Sequence, residues 1–455
     1  MKNSPANRIL RGILKTVLVI FVLALAFGAW YINSLIPIIT GYPAKYLCSA
    51  VFVSGREQAE VEAMDLNFSF IKYVKSEVNL KDSSVTSRFL WGKSTAIYRN
   101  GFGATLLRDV TAEELKKIQF PAIETKFNHE TIAWPLGNIL PDTAIITDTS
   151  KLAGVTEKIM NGGYNGHAFA FMVVYKGIPV AEVYQPQFNA KTRFLSWSVA
   201  KSFTNALAEI MVKDGLWDIN QPAGIPEWQD ERKEITINDL LQMQSGLKWN
   251  EDYGNRSDVT VMLYCENDFA KFTYNQPLEY PHGTKWYYSS GSVNVLNYLM
   301  RQKLADDAAY YSFAKTRLFD KIGAPDAVFE VDASGTQVGS SYVYATARDY
   351  ARFGLLYLND GVFAGERILP EGWVKYTTTP ASASEGGYGS LFWLNKGGNM
   401  KTIPEDMYSC NGHDGQQIYI IPSKELVVVV LGYSPKPDRV MNFEQLLGDI
   451  ILAVE

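Results

Sequence analysis

Residues 198–201 read Ser198-Val199-Ala200-Lys201, and they begin an apolar pattern with helical spacing. The apolar positions share one helix face, and Asp214-Gly215 supplies a stop signal after them; they are Val199, Phe203, Ala206, Leu207, Ile210 and Met211. Because residues three apart lie on the same face of a helix, Lys201 can stand beside Ser198. A serine hydroxyl becomes a good nucleophile when a neighbouring base takes its proton. We therefore predict a nucleophile and its base at the start of a helix.

The Ser-x-x-Lys spacing occurs three more times, beginning at Ser69, Ser245 and Ser312. The residues around Ser69 are typical of a strand, in which positions three apart point to opposite faces. A glycine after Ser245 predicts a turn, and the aromatic neighbours of Ser312 favour core packing in a helix. Of the four serines, only Ser198 both begins a predicted amphipathic helix and precedes two further polar motifs.

Those motifs are Tyr288-Ser289-Ser290 and His413-Asp414-Gly415. A phenol and an amine have ordinary pKa values near 10, so a base acting at neutral pH needs a shift of about 3 units, or about 4 kcal/mol. Two such groups in contact can share a proton, which favours Tyr288 as a partner of the lysine. In the second motif, Gly415 allows close approach, and the N–H of Gln416 can complete an oxyanion hole. The alternative interpretations are a tyrosine packed in the core and a histidine in a turn.

Composition limits the classes of function. The chain has 455 residues, of which 47% are hydrophobic and 13% aromatic, so it can bury a large core. A formal charge of -5 argues against nucleic acid as a partner. The four histidines show no paired ligand spacing, so we expect neither a catalytic metal nor another cofactor.

The N-terminus carries one long apolar run, Thr16 to Ile32, which with its flanks approaches the roughly 20 residues that a bilayer requires. All the charged residues before this run are basic; they are Lys2, Arg8, Arg11 and Lys15. The positive-inside rule then places the first residues in the cytoplasm and the remainder outside. We expect a single-pass anchor in a bacterial inner membrane with a periplasmic catalytic domain. A signal peptide cleaved near Ala24-Leu25-Ala26 is the alternative.

The chain divides into three parts: residues 1–32 as cytoplasmic tip and anchor, 33–140 as an N-terminal extension of unknown role, and 141–455 as the catalytic domain. The extension contains strand-like runs such as 49–53. Two hairpins are predicted near the ends of the catalytic domain, at 168–184 and 417–431, with helices between them. This pattern predicts an α/β fold of the α+β type, with an antiparallel sheet built from both ends of the domain and a mostly helical insertion.

The order of the motifs resembles the serine β-lactamase and penicillin-recognising D-alanyl-D-alanine peptidase superfamily. Its elements are Ser-x-x-Lys, a Tyr-Ser-Asn-like triplet after Pro-x-Gly-Thr, and a His-x-Gly triplet before a terminal hairpin; the resemblance covers about residues 164 to 435. The branch looks like the class C β-lactamase-related hydrolases, which include D-amino-acid peptidases, carboxylesterases and aminohexanoate-oligomer hydrolases.

The resemblance implies roles for these residues. Ser198 would be acylated, Lys201 and Tyr288 would transfer protons, and the substrate-side and oxyanion positions would be Ser290, His413, Gly415 and Gln416. Ser290 replaces the usual asparagine, and His413 replaces the usual lysine, which removes a permanent cation from the site. We therefore expect an esterase or amidase for small or peptide-like substrates. A D-alanyl peptidase or β-lactamase is one alternative, and a catalytically silent protein that binds cell-wall peptide is another.

Overall fold

The computed structural model describes residues 5–123, 128–142, 145–434 and 440–455. The α-helices in these residues, numbered α1 to α13 in chain order, are Pro5–Phe52, Gln58–Met64, Ala112–Lys117, Thr149–Met160, Val199–Lys213, Ile237–Leu241, Asp258–Cys265, Phe269–Tyr274, Ser290–Lys303, Asp307–Ala314, Ala347–Leu358, Trp373–Thr377 and Phe443–Val454. The strands, β1 to β15, are Lys75–Asn79, Ser84–Phe89, Gly92–Arg99, Gly103–Leu106, Ala168–Tyr175, Ile178–Tyr184, Phe194–Leu195, Val328–Phe329, Val343–Ala345, Val362–Phe363, Glu366–Arg367, Trp393–Leu394, Tyr408–Asn411, Gln417–Ile421 and Leu426–Gly432.

The central sheet has six antiparallel strands in the order β12-β13-β14-β15-β5-β6. The two predicted hairpins, β5-β6 and β14-β15, meet where β15 pairs with β5. Both of these strands are buried along their whole length, because α11 packs on one face of the sheet and α4 and α13 cover the other. Strands covered on both faces read as continuous apolar runs, as β15 does. The structure thus confirms a sheet made from both ends of the domain.

Helices lie between the hairpins, as predicted: α5 to α12 are separated there by loops and short strands. The helix α5 begins directly after Ser198 and ends at Lys213, and its interior is buried under the neighbouring helices. Two capping boxes are present, at Thr236 before α6 and at Thr346 before α11. These reciprocal hydrogen bonds satisfy amides that a helix start leaves unpaired.

The N-terminal helix α1 is longer than the sequence indicates. In the part of the chain that the structure describes, it is the one helix long and apolar enough to cross a bilayer, and its most apolar window is fully exposed. From Ile36 onward the helix is instead largely buried. The predicted strand at 49–53 is wrong, because residues 49–52 form the end of α1. Packing of this half against the rest of the protein outweighs the β propensity of a short apolar run.

A second expected strand, around Ser69, is also absent. Residues 71–73 form one 3₁₀ turn, and Ser69 has a left-handed backbone with φ of 42°. The strands that do form here are β1 to β4, an antiparallel sheet that packs against the second half of α1. Strand β3 runs alongside the helix: Ser94 hydrogen-bonds to Thr40 at 2.7 Å, and the Tyr98 ring stacks on Phe52 at 5.7 Å.

A buried ion pair fixes α1 to the catalytic domain. Lys45 pairs with Glu330, which is fully buried and also accepts hydrogen bonds from Ser49 Oγ at 2.8 Å and the Ala104 amide at 2.7 Å. The Lys45 Nζ also lies 3.9 Å from the centre of the Tyr342 ring. A buried charge of this kind is tolerated only when its partners are in place. The second half of α1 is therefore part of the folded core.

Candidate active site

Ser198 and Lys201 lie together at the start of α5. The Lys201 Nζ is 2.9 Å from Ser198 Oγ, as the i, i+3 spacing predicts. Ser198 is half-buried, whereas Lys201 is only 1% exposed. Ser198 therefore keeps some exposure to solvent, while the amine behind it is shielded from water.

The surroundings of Lys201 weaken its hold on a proton. Burial lowers the pKa of the amine to about 8, and the negative charge of Glu251 opposes this shift. Nζ also lies 3.0 Å from Ser290 Oγ and 2.9 Å from the Ser340 carbonyl, which fix its position. With a pKa of about 8, roughly one molecule in ten carries a neutral amine at pH 7. This neutral form is the one that can accept a proton from the serine.

Tyr288 approaches the same two groups from the segment before α9. Its ring centre lies 4.8 Å from Lys201 Nζ. Burial and then the charge of Glu251 raise the pKa of the phenol well above its ordinary value, and a hydrogen bond with Ser198 acts in the opposite direction. Packing against Trp393 at 5.4 Å and Tyr388 at 5.9 Å holds the ring in place. The phenol therefore stays protonated at neutral pH and can donate a hydrogen bond.

Ser290 is buried, and it faces Lys201 and Glu251. Its amide donates to Glu251 Oε2 at 2.9 Å, and its hydroxyl makes a short hydrogen bond to the other carboxylate oxygen. Trp249 Nε1 donates to the same carboxylate at 2.5 Å. Sequence reasoning missed Glu251, because it lies in an irregular loop with no pattern that connects it to residue 201. In the structure, the negative charge of this carboxylate raises the pKa of the Lys201 amine and so opposes the effect of burial.

The turn that carries His413 packs against the segment before the nucleophile. The imidazole lies edge-on to Trp197 at 5.5 Å and stacks on Tyr253 at 4.8 Å, and its side chain is 38% exposed. A Cβ on Gly412 would lie 2.5 Å from the Ser196 carbonyl oxygen, so only glycine permits this approach. Tyr253 also had no signal in the sequence. His413 thus stands against Trp197, the residue that directly precedes Ser198.

Gly415 and Gln416 continue this turn into β14. Gly415 has φ of 93°, so its backbone conformation requires glycine. The Gln416 side chain is fixed by two hydrogen bonds to the backbone of Gly432, at 2.5 and 3.0 Å. Within the described residues, the amides of Ser198 and Gln416 donate to no backbone carbonyl. Both amides are therefore available to an oxygen atom of a ligand.

Trp197, which precedes the nucleophile, connects the site to α1. It has a left-handed backbone with φ of 44°, which is uncommon for a bulky residue. Two tyrosines of α1, Tyr42 and Tyr46, lie with their ring centres 6.3 Å from its indole. Unfavourable backbone conformations persist where the surrounding packing imposes them. The second half of α1 thus contributes to the position of Ser198.

Metal ligands do not cluster in the described part of the chain, where no group of three or more His, Cys, Asp and Glu side chains is placed to hold an ion. The side-chain groups that meet at Ser198 are a hydroxyl, an amine and a phenol.

Comparison with known proteins identifies the family of the catalytic domain. A family model described as Beta-lactamase matches residues 157–448. The chain is 28% identical over 313 residues to a 6-aminohexanoate-dimer hydrolase of Paenarthrobacter ureafaciens. The aligned region covers 63% of this chain and 77% of the relative.

Solved structures show the same fold. One is a 6-aminohexanoate-dimer hydrolase assigned in Bacillus anthracis, with a TM-score of 0.55 and 22% identity over 65% of this chain and 81% of that one. Another is a family VIII carboxylesterase, with a TM-score of 0.52 and 13% identity over 69% of this chain and 98% of that one. The family model spans well over half of the sequence and includes all the motifs above. The protein therefore belongs to the beta-lactamase family and is a serine hydrolase.

Proposed function

We propose that this protein is a membrane-anchored hydrolase that cleaves an ester or amide through an acyl-enzyme on Ser198. The observation that carries the proposal is the contact between Ser198 Oγ and Lys201 Nζ, at 2.9 Å, with an amine whose pKa burial lowers to about 8. Such a base can take the serine proton near neutral pH.

The steps follow from the positions of the groups. Lys201 takes the proton of Ser198 as Oγ bonds to the substrate carbonyl carbon, and the amides of Ser198 and Gln416 stabilise the oxyanion. The proton then passes to the leaving alcohol or amine, with the Tyr288 phenol as relay, as the carbon–oxygen or carbon–nitrogen bond breaks. Water attacks the acyl-enzyme by the same route and regenerates Ser198. His413 and Gly415 would border the bound substrate.

The substrate class is a small or peptide-like ester or amide. The curated relative is named for hydrolysis of 6-aminohexanoate dimer, which supports an amide substrate. His413 occupies the position at which the family resembled above usually has a lysine. A lysine is a permanent cation and histidine is not, so we do not expect tight binding of a substrate carboxylate. Peptidase activity on D-alanyl substrates and β-lactam hydrolysis remain alternatives to be measured.

The N-terminus is proposed as an inner-membrane anchor with the catalytic domain in the periplasm. Residues 1–32 would form the cytoplasmic tip and span, 33–140 the extension, and 141–455 the hydrolase domain. The unbroken course of α1 through residues 24–26 into the buried half of the helix supports an anchor that is retained.

Turnover by the full-length protein in lipid nanodiscs tests the proposal. We expect repeated release of nitrophenol from nitrophenyl esters of short acids, and we would compare it with release from a linear amide and a chromogenic β-lactam. Release of a single equivalent would indicate a protein that is acylated but does not turn over. An absence of any release above buffer, with tight binding of cell-wall peptide, would favour the silent binding protein.

Replacing Glu251 with glutamine is expected to shift the pH dependence of kcat/KM. The carboxylate raises the pKa of Lys201, so its removal lowers that pKa, while glutamine still accepts hydrogen bonds from Ser290 and Trp249. Because activity rises as the amine loses its proton, the acid limb should move to lower pH by about one unit. Glu371→Gln, at an exposed position, is the control. A limb that stays in place or moves to higher pH would contradict this assignment of the base.

A further inference from the structure

The turn between β2 and β3 exposes two large apolar side chains. Leu90 and Trp91 are each 66% exposed, and they form the two-residue loop between the paired residues Phe89 and Gly92. Leu90 has a left-handed backbone with φ of 51°, a conformation that asparagine or glycine adopts at lower cost in such turns. An exposed leucine buries little apolar surface, and a left-handed backbone is unfavourable for it, so Leu90 does not stabilise the fold. The side chain at this position therefore requires an explanation outside the fold.

This turn lies beside the end of the apolar run of α1. Trp91 Nε1 donates a hydrogen bond to Asn33 Oδ1 at 3.1 Å, and Asn33 directly follows the proposed span Thr16–Ile32. The next residue of the hairpin, Gly92, is so close to α1 that an added Cβ would lie 1.9 Å from Ile36 Cγ2. The exposed pair is thus held at the level at which the proposed anchor emerges from the bilayer.

The residues that flank the turn carry positive charge. Arg88 and Lys93 are cross-strand partners, and both are exposed. Tryptophan is enriched at the boundary between hydrocarbon and water, and basic side chains near a membrane are attracted to anionic headgroups. On α1, Trp30 is also exposed close to this level. The combination of exposed indole, leucine and paired cations is complementary to a lipid surface.

We propose that the hairpin tip, residues 88–93, inserts Leu90 and Trp91 into the outer headgroup region and is a second point of membrane contact. This inference rests on the proposed anchor. Two attachment points restrict rotation and tilt of the catalytic domain about α1. Tyr42 and Tyr46, which both contact Trp197, lie ten and fourteen residues beyond Ile32, about 15 and 21 Å along the helix at 1.5 Å per residue. Trp197, which directly precedes Ser198, is thus held at about this height above the end of the span. The hydrolase would act on substrates close to the membrane surface.

The same sheet offers a matched control at its other end. Leu80 is 74% exposed in the turn between β1 and β2, at the end of β2 away from the hairpin tip. Along α1, the tip lies near Ile36, whereas the far end of β3 stacks on Phe52 through Tyr98. Sixteen helical residues separate these levels by about 24 Å. An exposed leucine at position 80 should therefore remain in water.

The test uses environment-sensitive labels on the full-length protein in nanodiscs that contain phosphatidylglycerol. Because Cys48 and Cys410 are buried, a Cys265→Ser background leaves one label site in each of the variants Leu90→Cys, Leu80→Cys and Val22→Cys. Nitrobenzoxadiazole fluorescence at positions 90 and 22 should shift to the blue and be quenched several-fold by lipids that carry a nitroxide. The label at position 80 should be quenched by aqueous iodide only. Ester turnover by each variant confirms that it is folded.

The outcomes separate the hairpin contact from the anchor. A label at position 90 that stays in water while the label at position 22 is in lipid would overturn the hairpin contact and leave the anchor intact. If both labels are in water, the anchor and the contact both fail. Equal lipid quenching at positions 80 and 90 would overturn the orientation proposed for the domain.

Discussion

Ser198→Ala is expected to abolish ester turnover, with kcat falling by about 10⁴-fold or more. The substitution removes the hydroxyl that lies 2.9 Å from Lys201 Nζ on a half-buried residue. Without it no acyl-enzyme can form, and covalent labelling by a fluorophosphonate should disappear as well. Ser198 lies at the start of a well-packed helix, so we expect the variant to fold. Measurements of turnover and of labelling, made on the same preparation, check both effects.

A matched control is present in the chain. Ser312 and Lys315 have the same spacing, but Ser312 Oγ donates to the Ala308 carbonyl at 2.8 Å, and Lys315 Nζ pairs with Asp320 at 2.8 Å. Ser312→Ala should therefore leave turnover and labelling unchanged. The assignment of the nucleophile would be wrong if Ser198→Ala retained turnover or if Ser312→Ala lost it.

Lys201→Met should lower kcat by about 10³-fold with a smaller change in KM, because general-base catalysis contributes about 10² to 10⁴. Methionine fills a similar volume at this buried position and cannot accept a proton. The wild-type enzyme should gain activity as the pH rises through about 8, since the pKa of Lys201 is lowered to about 8 and the neutral amine is the active form. The variant should lack this limb of the pH profile.

Two measurements distinguish a lost base from a lost fold. Thermal unfolding should show a folded variant, and slow labelling of Ser198 by a fluorophosphonate should persist, because Ser198 itself is intact. A variant that keeps the wild-type kcat and the limb near pH 8 would exclude Lys201 as the base.

The elements that the sequence predicts well are those with local signals. The alternation of apolar runs and turn residues predicts both hairpins. The two hairpins join into one sheet because β5 of the first pairs with β15 of the second. The i, i+3 spacing after residue 198 predicts a helix that places Lys201 against Ser198. Each signal is contained within about twenty residues, so no knowledge of distant contacts is needed.

The features that escaped prediction depend on distant contacts. The run at 49–53 has β propensity, but the burial of α1 through the Lys45–Glu330 pair makes it helical. The sequence places Ser290 on the substrate side by resemblance, but its hydrogen bonds with Lys201 and Glu251 could not be predicted, because Glu251 lies in an irregular loop that only the fold brings to this site. Contacts between residues this far apart in the chain leave no pattern in the local sequence.

The most direct test of the account is the mass of the protein during turnover. The full-length enzyme would be mixed with an ester or amide substrate, quenched in acid within its first turnovers, and analysed intact and after digestion by mass spectrometry. We predict one added acyl group, located on the peptide that contains Ser198 and absent from the Ser198→Ala variant. Turnover without any adduct, or an adduct on another residue, would contradict the central claim that Ser198 is acylated.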